Sequence, residues 1–324
     1  MSQAIVFAET GGPETLRLQD VQVGQPGPGQ ARIRHAAIGV NFIDTYYRSG
    51  LYPLSLPSGL GSEAAGVVEA VGEGVAWLRP GDRVAYASGP LGAYATERLI
   101  AAEHLVKLPE GVSDDTAACA MLQGMTVEYL VQRVFPVQPS QTVLWHAAAG
   151  GVGQIALQWL SAMGVHVIAT VGSPAKAEIA RALGAAHVIL YREENVALRV
   201  REITGGKGVP VVFDSVGKDT FEASLDSLGP RGVMVTFGNA SGPVPAVSPL
   251  ELTRRGSLFL TRPRLGDYIA TRAELEASSG ALLSRLRDGT IKLAPSRAYP
   301  LAEAARAHRD LEARQTTGSI ILRP

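Results

Sequence analysis

The stretch Thr142-Val143-Leu144-Trp145-His146-Ala147-Ala148-Ala149-Gly150-Gly151-Val152-Gly153 decides how this sequence folds. A short β-favouring run leads straight into a cluster of small residues, and an apolar helical segment comes next at 152–163. Small side chains let the chain turn sharply and bring backbone N–H groups up to a diphosphate at the N-terminus of the next helix. Gly153 permits close helix–strand contact. Glycine clusters also serve turns for conformational reasons alone, so the weight rests on the residues downstream. Further β-rich runs occur at 166–171, 187–191, 209–214, 232–237 and 257–261, with helical segments at 174–183 and 193–203 between the earlier ones. Apolar strands joined by helical crossovers predict a parallel sheet covered on both faces, and six strands make a doubly wound dinucleotide-binding domain.

The second strand decides the nucleotide. It ends at Val171-Gly172-Ser173-Pro174-Ala175-Lys176. An NAD site usually places Asp or Glu there for the ribose 2′-hydroxyl. Here a hydroxyl and, one short turn on, an ammonium stand instead, and both attract a 2′-phosphate that a carboxylate would repel. Tyr191, ending the third strand, offers a second hydroxyl. The expected cofactor is NADPH.

Upstream, residues 1–122 read as short strands (31–38, 64–71, 83–86, 97–101) broken by turn clusters at 24–29, 72–74 and 80–82, an antiparallel, barrel-like pattern. Ser113 is placed to cap a helix. Beyond residue 261 the sequence predicts a helix at 272–288, a strand near Ile291, a helix at 301–312 and a last strand at 319–322. That last strand is expected to join the first domain's sheet, so residues 262–324 complete a domain begun by 1–122, while 123–261 form the nucleotide domain.

The composition narrows the function classes. Of 324 residues, 46% are hydrophobic and 19% charged, and 30 Lys+Arg balance 30 Asp+Glu. No basic field is available for nucleic acid or an anionic membrane. The lone Cys119 excludes an internal disulfide and any multi-cysteine metal site. It reads as a small core residue. The N-terminus lacks a basic n-region, and 155–171 is broken by polar residues, so neither a signal peptide nor a span is expected, and the cytoplasm is the expected location.

The segments Asn41-Phe42-Ile43-Asp44-Thr45-Tyr46-Tyr47-Arg48-Ser49-Gly50, Gly61-Ser62-Glu63-Ala64-Ala65-Gly66, Arg79-Pro80-Gly81-Asp82-Arg83-Val84, Ser140 through Ser161, and Asp214-Ser215-Val216-Gly217 together resemble the quinone oxidoreductase/zeta-crystallin group of the medium-chain dehydrogenase/reductases, in order and over essentially the whole chain. The resemblance implies a GroES-like β-barrel catalytic domain and a Rossmann domain, with cofactor and substrate in the cleft between them, commonly as a homodimer. The apolar run 257–260 is a candidate for a paired edge. The resemblance also implies Asn41, Asp44 and Tyr46 near the nicotinamide, and Gly150, Gly151, Val152, Gly172, Ser173, Lys176 and Tyr191 on the adenosine phosphates. Thr126, Ser215, Phe237, Gly238, Asn239 and Arg262 would line the rest of the cofactor site.

Related zinc enzymes carry a cysteine before the first catalytic helix and a histidine before the glutamate of the Gly-His-Glu motif. The corresponding positions here are Asn41 and Ser62. Zinc needs three or four thiolate, imidazole or carboxylate ligands in one place, and His35, His104, His146, His166, His187 and His308 have no ligand spacing, so no metal is expected. Without a Lewis acid, reduction of an electron-poor substrate is the easier chemistry. Hydride adds, and the resulting anion needs hydrogen-bond donors and a proton. Asn41, Tyr46 and Tyr52 can donate, Asp44 can position the ribose or a neighbouring side chain, and Arg262 can reach in from the domain junction. Tyr46 is the candidate proton donor or anion stabiliser, with solvent water the alternative proton source. A quinone is the expected acceptor. Two other readings stay open: an NADPH-dependent alkenal or enoyl reductase, and a cofactor-binding protein with a structural or RNA-associated role.

Overall fold

A computed structural model describes residues 1–324, which divide into two compact units, Met1–Met125 with Tyr268–Pro324, and Thr126–Asp267. In chain order the first part contains strands β1 (Ser2–Phe7), β2 (Arg17–Val21) and β3 (Gln30–Val40), helix α1 (Phe42–Ser49), and strands β4 (Ser58–Gly59), β5 (Glu63–Val71), β6 (Arg83–Ala87), β7 (Glu97–Ala101) and β8 (Val106–Lys107). Helix α2 (Asp114–Tyr129) carries the chain into the second unit. There β9 (Thr142–Trp145), α3 (Gly151–Ala162), β10 (His166–Val171), α4 (Pro174–Ala182), β11 (His187–Leu190), α5 (Val196–Ile203), β12 (Val209–Asp214), α6 (Phe221–Ser227), β13 (Leu228–Thr236), α7 (Pro249–Arg254) and β14 (Phe259–Thr261) alternate. The closing segment has α8 (Leu265–Tyr268), α9 (Arg272–Arg287), β15 (Arg297–Pro300), α10 (Ala304–Glu312) and β16 (Ile320–Arg323).

The second unit is the predicted doubly wound sheet. Its strand order is β11-β10-β9-β12-β13-β14, every pair parallel. The β-branched runs are buried on both faces. Val143, Leu144, Val167, Ile168, Val211 and Val212 have no exposure, and burying each such side chain contributes about 1.5–3 kcal/mol. Helix α5 begins at Val196 rather than 193, because Asn195 accepts the Leu198 N–H at 3.0 Å and so fixes the first turn. Strand β14 starts two residues later than the sequence suggests, since Ser257 takes a left-handed conformation at φ 59°.

The first unit is built on an antiparallel set around β3, which pairs with β5, β7 and β16. The long β3 pairs with β5 through two register irregularities and changes neighbours along its length. That behaviour lets a sheet curl toward a barrel. Gly66 sits where β3 and β5 press together, and a Cβ there would collide with the Arg34 carbonyl oxygen. Strand β16 lies inside this sheet, antiparallel to β3 and parallel to β15. The strand predicted near Ile291 is absent. Ile291 is buried and its N–H bonds the Arg285 carbonyl at 2.9 Å, so it anchors the turn after α9, and the strand forms later at β15. Ser113 accepts the Thr116 N–H at 3.1 Å at the start of α2. No helix is long and apolar enough to cross a membrane.

Candidate active site

In the second unit the turn after β9 is set by local chemistry. His146 gives its N–H to the Phe213 carbonyl, extending the sheet by one bond, and Ala147 then enters the left-handed region at φ 52°. Gly150 returns its N–H to the Ala147 carbonyl at 2.9 Å. Only glycine fits at 153, where a Cβ would lie 2.5 Å from the Ala148 carbonyl oxygen. The first-turn N–H groups of α3, from Gly151, Val152 and Gly153, have no carbonyl a turn behind them and carry the positive end of the helix dipole. The geometry fits a diphosphate.

The neighbouring strand end carries no carboxylate. Gly172 follows β10, and Ser173 caps α4 by accepting the Lys176 N–H at 3.4 Å. Tyr191 reaches across from the end of β11, and a Cβ on Gly172 would stand 2.6 Å from its hydroxyl. Gly172, Ser173, Lys176 and Tyr191 therefore form one polar cluster with Lys176 half-buried. A third group forms at the ends of β12 and β13. A Cβ on Gly238 would collide with the Ser215 carbonyl oxygen, so the two backbones need glycine to approach. The Phe237 ring packs at a tilt against Trp145 with centroids 5.8 Å apart, Asn239 follows Gly238, and Arg262 donates to Thr236 Oγ1 at 3.0 Å and the Gly238 carbonyl at 2.9 Å. Each group is at the carboxyl ends of parallel strands, where such sheets bind ligands. Thr126 is buried on α2.

In the first unit, Asn41 stands before α1. Its N–H donates to Asp44 at 2.8 Å and its amide donates to Glu63 Oε1 at 2.7 Å, while Gln123 donates to Asn41 Oδ1 at 3.0 Å. Asp44 has no exposure, and it also accepts from Tyr94 at 2.9 Å and Ser62 at 3.3 Å. Burial raises the Asp44 carboxyl to about 7, against the pull of its donors. Burial likewise raises Glu63 to about 8, although Asn41 and the Leu122 N–H oppose it. Tyr46 is 8% exposed and packs edge-on against the Tyr52 ring at 5.3 Å. Asn41, Asp44, Tyr46 and Tyr52 are thus grouped at one helix, which the sequence also indicates.

Sequence reasoning missed what stands behind Asp44. Arg48 is 3% exposed, pairs bidentately with Glu312 at 2.8 and 3.0 Å, and faces His308 Nδ1 at 3.3 Å. His308 Nε2 is 3.1 Å from the Tyr94 hydroxyl. Arginine only donates, so His308 accepts at Nδ1, donates from Nε2 to Tyr94, and Tyr94 donates to Asp44. Burial lowers His308 to about 3, with Arg48 acting in the same direction, so the imidazole is neutral.

A catalytic zinc does not fit this donor set. No group of three or more His, Cys, Asp or Glu side chains could hold a metal. The amide of Asn41 is bonded to Glu63 and Gln123, and the Ser62 hydroxyl to Asp44. Cys119 is fully buried, and that burial raises its thiol pKa above the ordinary range.

Residues 27–110 match the alcohol dehydrogenase GroES-like domain family, and residues 151–275 the zinc-binding dehydrogenase family. A quinone oxidoreductase of Pseudomonas aeruginosa is 54% identical, with all of both chains covered. A crystal structure of Escherichia coli quinone oxidoreductase complexed with NADPH superposes with a TM-score of 0.97 at 49% identity, covering 99% of this chain and 100% of that one. A 2-haloacrylate reductase from a Burkholderia species is 47% identical over 100% of this chain and 99% of its own.

Proposed function

The chain belongs to the quinone oxidoreductase family of the medium-chain dehydrogenase/reductases, and from that premise we propose that it reduces quinones with NADPH, without a metal. NADPH supplies the hydride when bound, and one further proton completes the hydroquinone. The observation that carries the cofactor choice is the end of β10, where Ser173 and Lys176, with Tyr191 beside them, provide hydroxyls and an ammonium for a 2′-phosphate and no carboxylate opposes it. In this reading Gly150, Gly151 and Val152 hold the diphosphate through N–H groups, and Gly172 leaves room for the Tyr191 hydroxyl. Thr126, Ser215, Phe237, Gly238, Asn239 and Arg262 line the remainder of the nucleotide site. Asn41 and Tyr46 attend the nicotinamide end. Tyr46 donates a hydrogen bond or the proton to the reduced acceptor, Tyr52 supports its ring, and Asp44 fixes the start of α1.

Competitive binding of NADPH and NADH tests the cofactor. Lys176→Ala is expected to weaken NADPH about tenfold, the loss of one charge-assisted bond, and to leave NADH almost untouched. Equal affinity of the unmodified protein for both nucleotides would overturn the reading. Turnover on 1,4-benzoquinone and 9,10-phenanthrenequinone, set beside an α,β-unsaturated aldehyde, tests the acceptor. The relative named 2-haloacrylate reductase favours an activated alkene as the second reading. Tyr46→Phe should lower turnover and alter its pH profile.

A homodimer formed along β14 completes the proposal, in the cytoplasm. Strand β14 is the free edge of its sheet, and Phe259 on it is 61% exposed. An uncovered apolar edge strand is a template for a second copy. Phe259→Asp should shift sedimentation from dimer to monomer.

A further inference from the structure

Beneath the diphosphate turn lies a closed chain of hydrogen bonds that the reaction itself does not use. His146 has no exposure. Its Nδ1 is 2.9 Å from Thr170 Oγ1 and its Nε2 3.0 Å from Ser224 Oγ. Ser224 donates its single hydrogen to Asp214 Oδ2 at 2.8 Å. It must therefore accept from His146, which places the ring proton on Nε2 and leaves Nδ1 to accept from Thr170. The chain runs Thr170 to His146 to Ser224 to Asp214, with each donor and acceptor matched. Burial lowers the imidazole pKa, with Asp214 opposing, so the ring is neutral. The order of groups is Asp–Ser–His, the serine hydrogen points at the carboxylate, and solvent is excluded. That arrangement is unsuited to nucleophilic attack, in which the serine must face the base.

The chain's value lies in what it joins. Thr170 is the penultimate residue of β10, two before Gly172, and its carbonyl accepts the Ala148 N–H of the turn at 3.2 Å. His146 is the residue before left-handed Ala147. Asp214 ends β12 and receives the N–H groups of Val216 at 2.7 Å and Gly217 at 3.1 Å, shaping the segment that begins with Ser215. Three adjacent strands, β10, β9 and β12, each carry one of the segments assigned to the nucleotide. We infer that His146 is a positioning residue which, through Thr170, Ser224 and Asp214, holds the diphosphate turn in register with the 2′-phosphate cluster and the Ser215 segment, so that NADPH meets a preorganised site. The inference rests on the NADPH reading above.

The test measures NADPH affinity by fluorescence titration of the nucleotide-free protein, together with KM for NADPH, kcat and Tm. His146→Leu, which keeps volume and removes both bonds, should raise Kd and KM for NADPH about tenfold, with kcat at saturating NADPH falling much less. His146→Gln can donate to Ser224 and accept from Thr170, and should recover most of that loss. Thr170→Val removes only the first bond and should weaken NADPH about threefold; it carries the test if His146→Leu does not fold. A lowered Tm with unaltered Kd in the folded variants would make His146 ordinary core and overturn the inference, leaving the NADPH reading intact. Failure of the unsubstituted protein to bind NADPH would overturn both.

Discussion

Two buried aspartates, one in each unit, close hydrogen-bond chains that pass through a neutral histidine, yet they are built for different ends. Asp214 receives four donors: the N–H groups of Val216 and Gly217 and the hydroxyls of Thr220 and Ser224. Asp44 receives three: the Asn41 N–H and the hydroxyls of Tyr94 and Ser62. A carboxylate has about four lone-pair positions. Asp214 has all of those positions filled by donors from its own loop and helix, and so acts as a brace. Asp44 keeps one place open on the oxygen facing Ser62, and burial raises it to about 7. Four donors make Asp214 a fixed anchor, whereas burial against only three makes Asp44 a group that titrates near neutrality.

Removing the brace should give the largest effect. Asp214→Ala strands two backbone N–H groups and two hydroxyls, and urea unfolding should show a loss of about 4 kcal/mol. A loss below about 1 kcal/mol would mean that water replaces the carboxylate and that the contrast with Asp44 is false.

A medium effect concerns pH. Asp44 and its neighbour Glu63 are raised in the folded state, to about 7 and about 8, so each holds its proton longer folded than unfolded. Stability from such a group is present below its unfolded pKa and is lost as the pH climbs through the folded one. His308 and His35, lowered to about 3 and about 4 chiefly by burial, have the opposite slope below 6.5, as does His146. Below about pH 6.5 the two carboxyls and the histidines largely offset one another. Above it the histidines no longer contribute, and unfolding free energy should fall by roughly 2 kcal/mol between about pH 6.5 and 8. Glu63→Gln should flatten most of that decline, and urea titrations at the two pH values would show it.

The smallest effect comes from Tyr94→Phe. Losing this donor leaves Asp44 less able to bear charge, so its titration, followed by NMR of the side-chain carboxyl carbon, should move upward, with about 1 kcal/mol lost in stability. A downward move would show that Tyr94 accepts rather than donates.

The contrast also explains what the sequence could tell. The small-residue turn after β9, the absence of a carboxylate after β10 and the six parallel strands are written in consecutive residues, so their order alone conveys them. The tyrosines after Asn41 were legible for the same reason: they share one short stretch of chain. Tyr94 and His308 were not, because Tyr94 meets Asp44 across 50 residues and His308 meets Tyr94 across 214. His146 carries no ligand spacing in the sequence, and its partners lie 24 and 78 residues away, so nothing in the order of residues announces them. Ile291 misled because a lone buried apolar residue looks the same whether it belongs to a strand or pins a turn.

The position of β16 has a consequence for biosynthesis. The parallel-sheet unit is contiguous and has been translated in full by Asp267, whereas the curled sheet of the other unit lacks an interior strand until residues 320–323 arrive. At about 5–20 residues per second, the ribosome leaves β3 without its β16 neighbour for several seconds after the parallel sheet can close. The unit translated first is therefore the one that finishes last, and a tag or deletion touching Ile320–Arg323 should harm the barrel well before it harms cofactor binding.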